Sequence, residues 1–191
     1  MKKFFLNSTV AWILTVALCI ASVVLNTRIR LGKSCDEVNS FFYTGNEEHY
    51  TAVNGESPVA SELRKLCDAA DSLSLLGIRT DYDDLEDLSD AVSDIREELR
   101  GRTLDFDDLY EDYEELLQET FRLESALARA ELSEEESASY YEAQHAAAEA
   151  KTAIDGSSYN KLAATIRQKH QHFPITVIAA LSGIHIPELF A

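Results

Sequence analysis

The sequence predicts an all-α protein: a single N-terminal transmembrane helix, then an antiparallel four-helix-type bundle, with an apolar C-terminal tail packed back on it. Three observations carry that expectation. An uncharged apolar run opens the chain, apolar residues recur at alternating steps of three and four through most of the remainder, and the period-2 alternation of strands is absent.

The opening run from Phe4 to Thr27 contains no charged residue. As a helix it would be about 36 Å long at roughly 1.5 Å per residue, enough for a hydrocarbon core of about 30 Å. A cleaved signal peptide also begins with Lys and an apolar stretch. Here no A-x-A site follows, the apolar run continues to Leu25, and Leu18 before Cys19 matches a lipoprotein box poorly. Residues 1–33 are therefore expected to be an uncleaved membrane anchor, with its helix over about 4–27, and residues 34–191 a helical domain. Lys2 and Lys3 on one side and Arg28, Arg30 and Lys33 on the other give nearly balanced flanks. The short leader of a signal anchor favours the N-in, C-out orientation, which puts the domain outside the cytoplasm of a single-pass cell-membrane protein.

After the anchor, Ser34–Tyr43 reads as a short amphipathic piece and "TGNEEHYTAVNGES" as an exposed loop. Ser57 as cap and Pro58 at the first helical position start the next helix. Its seam is Val59, Leu63, Leu66, Ala70 and Leu73, and Gly77 is the expected stop. Thr80 with Asp83 opens a segment whose seam is Leu85, Leu88, Val92, Ile95 and Leu99, ending at Gly101. A third stripe joins Phe106, Leu109, Tyr113, Leu116, Thr120, Leu123, Leu127 and Ala130. Such spacing holds the apolar side chains on one face, so the helices must bury against one another. Ser133 and Glu136 form a capping box for a last helix expected from about Glu134 to His172. Its registers, Ala143–Ala147–Ala150–Ile154 and Tyr159–Ile166–Phe173, are offset at "DGSS", where a kink or single-turn bulge would reconcile them.

The tail "ITVIAALSGI" is uncharged but spans only about 15 Å as a helix, half of what a bilayer core requires. Pro174 disfavours helical geometry at Phe173 and lets the chain reverse. Ile175, Val177, Ile178, Leu181, Ile184, Ile186, Leu189 and Phe190 are then expected to lie along the bundle rather than form an exposed patch. A shallow interfacial contact with lipid is the rival placement.

Charge narrows the partners. The chain carries 17 basic and 34 acidic residues, and none of the acidic ones falls in residues 1–33. Residues 34–191 thus hold 12 basic against 34 acidic groups, a net charge of −22. A domain of that sign repels a polyphosphate backbone, so no nucleic acid partner is expected. Catalytic signatures are weak. "DYDDLEDLSD" offers closely spaced carboxylates but lacks the central Gly of a calcium loop and carries a helix seam. His170 and His172 are two apart and point to different faces of a helix, and His145 reads as a core-flanking or surface residue. No G-x-S-x-G, P-loop or G-x-G-x-x-G is present. No catalytic, cofactor or metal residues are expected, and no enzyme. Cys19 lies in the anchor, while Cys35 and Cys67 could pair in an exported domain or remain reduced in the cytosol.

The C-terminal third resembles the LemA family. Tyr159-Asn160, an apolar Ile166 seven positions on, Phe173-Pro174 another seven on, then Ile178-Ala179, Gly183-Ile184 and Phe190 follow that family's closing pattern. The second Tyr-Asn pair of the pattern is here Ile166-Arg167, Ala191 replaces a terminal acid, and "SCDEVNSFFYTG" stands where the family has a basic, tryptophan-containing segment. The resemblance implies structural roles for Tyr159, Asn160, Ile166, Phe173, Pro174, Ile178, Ala179, Gly183 and Phe190. It also implies a four-helix bundle tethered to a bacterial envelope membrane, without established catalysis, in a family whose members occur near membrane metalloproteases. Two function classes follow as expectations: a membrane-tethered scaffold or interaction protein with an envelope partner, such as a protease assembly, or a lipid- or peptide-binding sensor or membrane-remodelling module.

Overall fold

The computed structural model describes residues 2–44, 59–100, 105–170, 172, 175–184 and 186–190. Its helices are α1 Lys2–Thr44, α2 Val59–Arg79, α3 Glu86–Glu98, α4 Phe106–Leu127, α5 Glu134–Asp155, α6 Ser158–His170 and α7 Ile175–Ser182. No strand occurs among the described residues, and the protein is all-α. The chain forms two compact units, Met1–Glu37 with Thr165–Ile186, and Val38–Ala164 with Pro187–Ala191.

α1 is one helix where the sequence suggested an anchor followed by a separate amphipathic piece. The reason is that nothing between Thr27 and Ser34 breaks a helix: a lone Gly32 costs only about 1 kcal/mol. A Cβ at Gly32 would stand 4.0 Å from Ile184 Cδ1, so the bare backbone there faces the tail within the first unit. The helix carries one stretch, beginning at Val10, that is long and apolar enough to cross a membrane. Trp12, Leu14, Leu18, Ile20 and Val23 on it are uncovered. Thr15 donates its hydroxyl to the Ala11 carbonyl at 2.9 Å, so this polar group is satisfied within the helix itself. Further on, Leu31, Cys35, Val38 and Phe42 are buried at steps of four, three and four, so α1 changes from an apolar rod to a one-sided helix near Arg30.

In the second unit α2 packs most extensively on α5 and also meets α3 and α4, while α3 pairs with α4. The predicted seams are the core: Val59, Leu63, Leu66, Ala70 and Leu73 on α2, Leu88, Val92 and Ile95 on α3, and Leu109, Tyr113, Leu116, Leu123 and Leu127 on α4 are all buried. The helices alternate in direction. Arg64 near the start of α2 donates to the Leu99 carbonyl just past α3 at 3.3 Å, and Tyr140 near the start of α5 donates to the Glu124 carbonyl near the end of α4 at 3.4 Å. Arg96 of α3 bridges Asp68 and Asp71 of α2 at 2.6 and 2.7 Å. These pairs are partly solvated and set register more than stability.

Three local expectations are corrected. Gly77 does not stop α2: it lies inside the helix, and a Cβ there would meet Leu123 Cδ1 at 3.0 Å and Leu85 Cδ2 at 3.2 Å. Its place is a point of close approach, and the true stop is Asp81 in the left-handed region at φ 53. There the Tyr82 and Asp81 N–H groups bond back to Gly77 and Ile78. Thr80 does not open α3 but closes α2, its hydroxyl donating to Leu76 and Gly77 carbonyls at 3.1 Å; α3 begins after Leu85 without a side-chain cap. The predicted single helix from Glu134 to His172 is two, α5 and α6, parted at Gly156-Ser157. The capping box of Ser133 and Glu136 is present as expected. Ser57, Pro58 and Gly101 lie outside the described residues. We expect Gly77→Val to overpack the Leu85–Leu123 contact and destabilise the domain by about 1–3 kcal/mol, read as a lowered melting midpoint by circular dichroism.

The tail is short-helical and one-sided. α7 ends at Gly183, left-handed at φ +61, with the Ile184 N–H bonded to the Ala179 carbonyl at 3.1 Å. Ile178, Ala179 and Phe190 are buried, whereas Val177 is 46% and Leu181 85% exposed. The expectation that every apolar tail residue lies on the protein is thus corrected for those two, because two turns of helix can turn only one stripe inward.

Candidate functional site

Within the second unit the chain end is held by one side chain. α5 ends on Gly156, and the next residue, Ser157, accepts the Asn160 N–H at 3.2 Å and so starts α6. This places the Asn160 amide, 5% exposed, against the last residues of the chain. Its Nδ2 donates to the Ile154 carbonyl at 2.8 Å and to the Phe190 carbonyl, and its Oδ1 accepts the Phe190 N–H at 3.0 Å. A single amide thereby satisfies both backbone groups of one residue, as a neighbouring strand would.

Held in this way, the Phe190 ring enters an aromatic cluster. Its centroid lies 5.5 Å from Tyr113, 5.6 Å from Phe42, 5.8 Å from Tyr159 and 6.0 Å from Tyr110. Phe106 closes the group, edge-on to Phe42 at 5.3 Å and stacked on Tyr159 at 6.0 Å. Separations of this kind favour the ring quadrupoles as well as burial. The end of α1, the start of α4, the start of α6 and the last residues are joined at one point. Burial, with Asp155, Glu114 and Tyr110 nearby, pushes the Tyr113 phenol upward, so it stays neutral and packs as a ring rather than acting as a base.

The motif residues divide accordingly. Tyr159, Asn160 and Phe190 meet in the second unit; Ile166, Ile178, Ala179 and Gly183 belong to the first, where the first three are buried. Phe173 and Pro174 lie outside the described residues. Sequence reasoning missed Phe42 and Tyr110, and it missed what Asn160 bonds. A Phe-Phe-Tyr run at positions 41–43 was the available signal for Phe42. Among the histidines, His145 is on the surface 3.5 Å from Glu149, and His172 is exposed. Desolvation and Lys169 lower the His170 pKa. All three cysteines are free thiols, and burial pushes Cys67 up to about 12, which keeps it protonated and unreactive.

Three surface features complete the second unit. A groove of about 690 Å³ between α4 and α5 has Leu66 and Leu117 in its lining and the exposed rings of Phe121 and Tyr141 beside them. A second, of about 780 Å³, lies along the alanine-rich side of α5 against α2. Between α3 and α4, Asp94, Glu97, Glu98, Asp108, Glu111 and Asp112 line a cleft of about 250 Å³. Among the described residues no three His, Cys, Asp or Glu side chains are placed to hold a metal ion.

In that acidic cleft desolvation, then repulsion from Asp94, Asp108, Glu98 and Glu115, pushes the Asp112 carboxyl up to about 6. The folded state therefore binds this proton more tightly than the unfolded chain, whose Asp titrates at about 3.9. Its contribution to stability is present below the unfolded value and is lost as pH rises toward 6. Asp112→Asn is expected to raise the melting midpoint at pH 7.5 by roughly 2–4 °C, about 1 kcal/mol after allowance for solvent screening. The gain should shrink below pH 5, and melting curves of both proteins at the two pH values check it.

No family model, curated protein or solved structure matches the chain.

Proposed function

We propose that the chain is a membrane-tethered helical interaction protein of LemA-like kind, single-pass in the cell membrane of a bacterial envelope. Its acidic domain lies outside the cytoplasm and docks an envelope protein partner, such as a protease assembly, without catalysis of its own. The observation that carries this reading is α1. It is one helix from Lys2 to Thr44, with an uncovered apolar stretch from Val10 that is long enough to cross a membrane and, near its end, Phe42 in the aromatic cluster of the second unit. The domain's charge of −22 supplies long-range attraction for a basic partner. Support from the LemA resemblance rests on the Tyr159-Asn160 and Phe190 pairing, which gives the pattern a physical reason.

Reversible cross-linking in native membranes, followed by purification at low and high ionic strength, tests the reading. A defined envelope protein recovered at low salt and depleted at high salt is expected. Recovery of no partner would count against it. Protease treatment of intact cells reads the orientation, with loss of the domain expected. A second reading, a peptide- or lipid-binding sensor or remodelling module, is favoured by the exposed Phe121 and Tyr141 beside an apolar groove; capture unaffected by salt would support it instead. The acidic surface disfavours flat docking on anionic lipid.

A further inference from the structure

We propose that the groove between α4 and α5 is a docking seat for a basic amphipathic helix of a partner protein. The inference rests on the interaction reading above and names the chemistry of that partner. Leu117 and Phe121 stand four residues apart on α4, and Tyr141, His145 and Ala148 stand at steps of four and three on α5, all lining the groove. The two helices therefore present parallel ridges with a trough between them, the shape into which a third helix packs. Phe121 is 69% and Tyr141 65% exposed, and neither belongs to the buried face of its helix, which Leu116, Leu123 and Leu127 form on α4 and Ala143, Ala147 and Ala150 on α5. Two large aromatic side chains left uncovered on one trough of a highly charged domain mark a surface that gains by being covered.

Charge commits the occupant. Leu117 and Phe121 also border a shallow cleft lined by Glu114, Glu115 and Glu119, and Glu124 lines the groove itself. Burial raises the Glu124 pKa, so a cation brought beside it would favour its ionised form. The basic groups on this face are already engaged by the chain's own carboxylates: Arg122 with Glu119 at 2.6 Å and Lys151 with Asp155 at 2.7 Å. His145 lies 3.5 Å from Glu149. The apolar trough is thus flanked by an excess of carboxylate on the α4 side. A helix with apolar residues at steps of three and four and Lys or Arg along one edge fits both features. An acidic helix fits only the first, and an extended basic segment only the second.

The experiment uses the full chain in zwitterionic nanodiscs and a fluorescein-labelled synthetic helix of Leu and Lys with Leu on one face. Empty nanodiscs provide the background. Two control peptides accompany it: the same composition scrambled so that no Leu face forms, and a Leu–Glu counterpart. Binding is read by anisotropy, and the site by amide hydrogen exchange. The Leu–Lys helix is expected to protect α4 and α5 around Phe121 and Tyr141, and both controls are expected to bind at least tenfold more weakly. Phe121→Ser with Tyr141→Ser should raise Kd at least tenfold while leaving the melting midpoint unchanged, because both side chains are exposed. Glu114→Gln with Glu115→Gln should raise Kd and flatten its salt dependence. Equal binding of the scrambled peptide, protection elsewhere, or wild-type affinity in the Phe121/Tyr141 variant would each overturn the proposal. Equal binding of the Leu–Glu helix would remove its basic character. The wider reading fails separately: a membrane partner still captured by the Phe121/Tyr141 variant keeps the interaction function and rejects this groove. Groove binding of the peptide without any recovered membrane partner does the reverse.

Discussion

Replacing Phe190 by Ala is expected to destabilise the domain by about 3–5 kcal/mol, the range for removing a large buried aromatic side chain. In a domain of this size that lowers the melting midpoint by roughly 10 °C. The ring is fully buried and is shared by Phe42, Tyr110, Tyr113 and Tyr159. Its loss leaves a cavity where four separate chain segments meet, and no one of them can move in to fill it while the others hold their helices. Circular dichroism melting of the full chain in nanodiscs measures the effect. A shift smaller than about 2 °C would mean that the aromatic cluster is an ornament of the fold rather than its closure. The same melts can be run on a chain beginning at Arg28, which keeps the buried Leu31.

Asn160→Ala should cost nearly as much, although the side chain is small. With the tail still docked, the Phe190 N–H and C=O lose their partners in a buried place, at about 1–3 kcal/mol for each group left unsatisfied. With the tail released, the aromatic contacts of Phe190 go with it. Either route makes the two substitutions non-additive, and the Asn160→Ala/Phe190→Ala pair is expected to melt close to the worse single variant. An additive pair would show that the amide and the ring act independently. Asn160→Asp separates hydrogen bonding from size. Its carboxylate would face the Ile154 and Phe190 carbonyls, which now receive an amide N–H. Its folded pKa would therefore rise above the unfolded value of about 3.9, and stability should fall as pH increases through that window. A pH-independent deficit in Asn160→Asp would argue that shape alone matters at this position.

The seams show how much of the fold was legible. Val59 to Leu73, Leu88 to Ile95 and Leu109 to Leu127 bury as read, because a repeat of threes and fours is a statement about one helix face and needs no knowledge of the partner. The Ser133–Glu136 box formed for the same reason: both of its bonds close within one turn. Gly77 misled because its role depends on a distant residue, and Thr80 because a hydroxyl beside a loop can close the helix before it as readily as open the one after it. Glycine next to a loop looks like a stop, yet here its missing Cβ admits Leu85 and Leu123. The Phe190 site was half legible: the motif named Tyr159, Asn160 and Phe190, but Phe42 lies more than a hundred residues away and no local spacing couples it to them.

Sequence alone thus determined the all-α class, the apolar N-terminal rod, the acidic character of the domain and most of each buried helix face, since each follows from local composition and period. Only the tertiary structure decided that α1 continues as one helix to Thr44, that α5 and α6 part at Gly156, and that one amide holds the last described residues by bonding both backbone groups of Phe190. The physical reason is range. Propensity and amphipathicity act within a few turns of one helix, whereas a helix continues, breaks or accepts a returning strand according to which distant side chains and carbonyls complete its hydrogen bonds and fill its spaces.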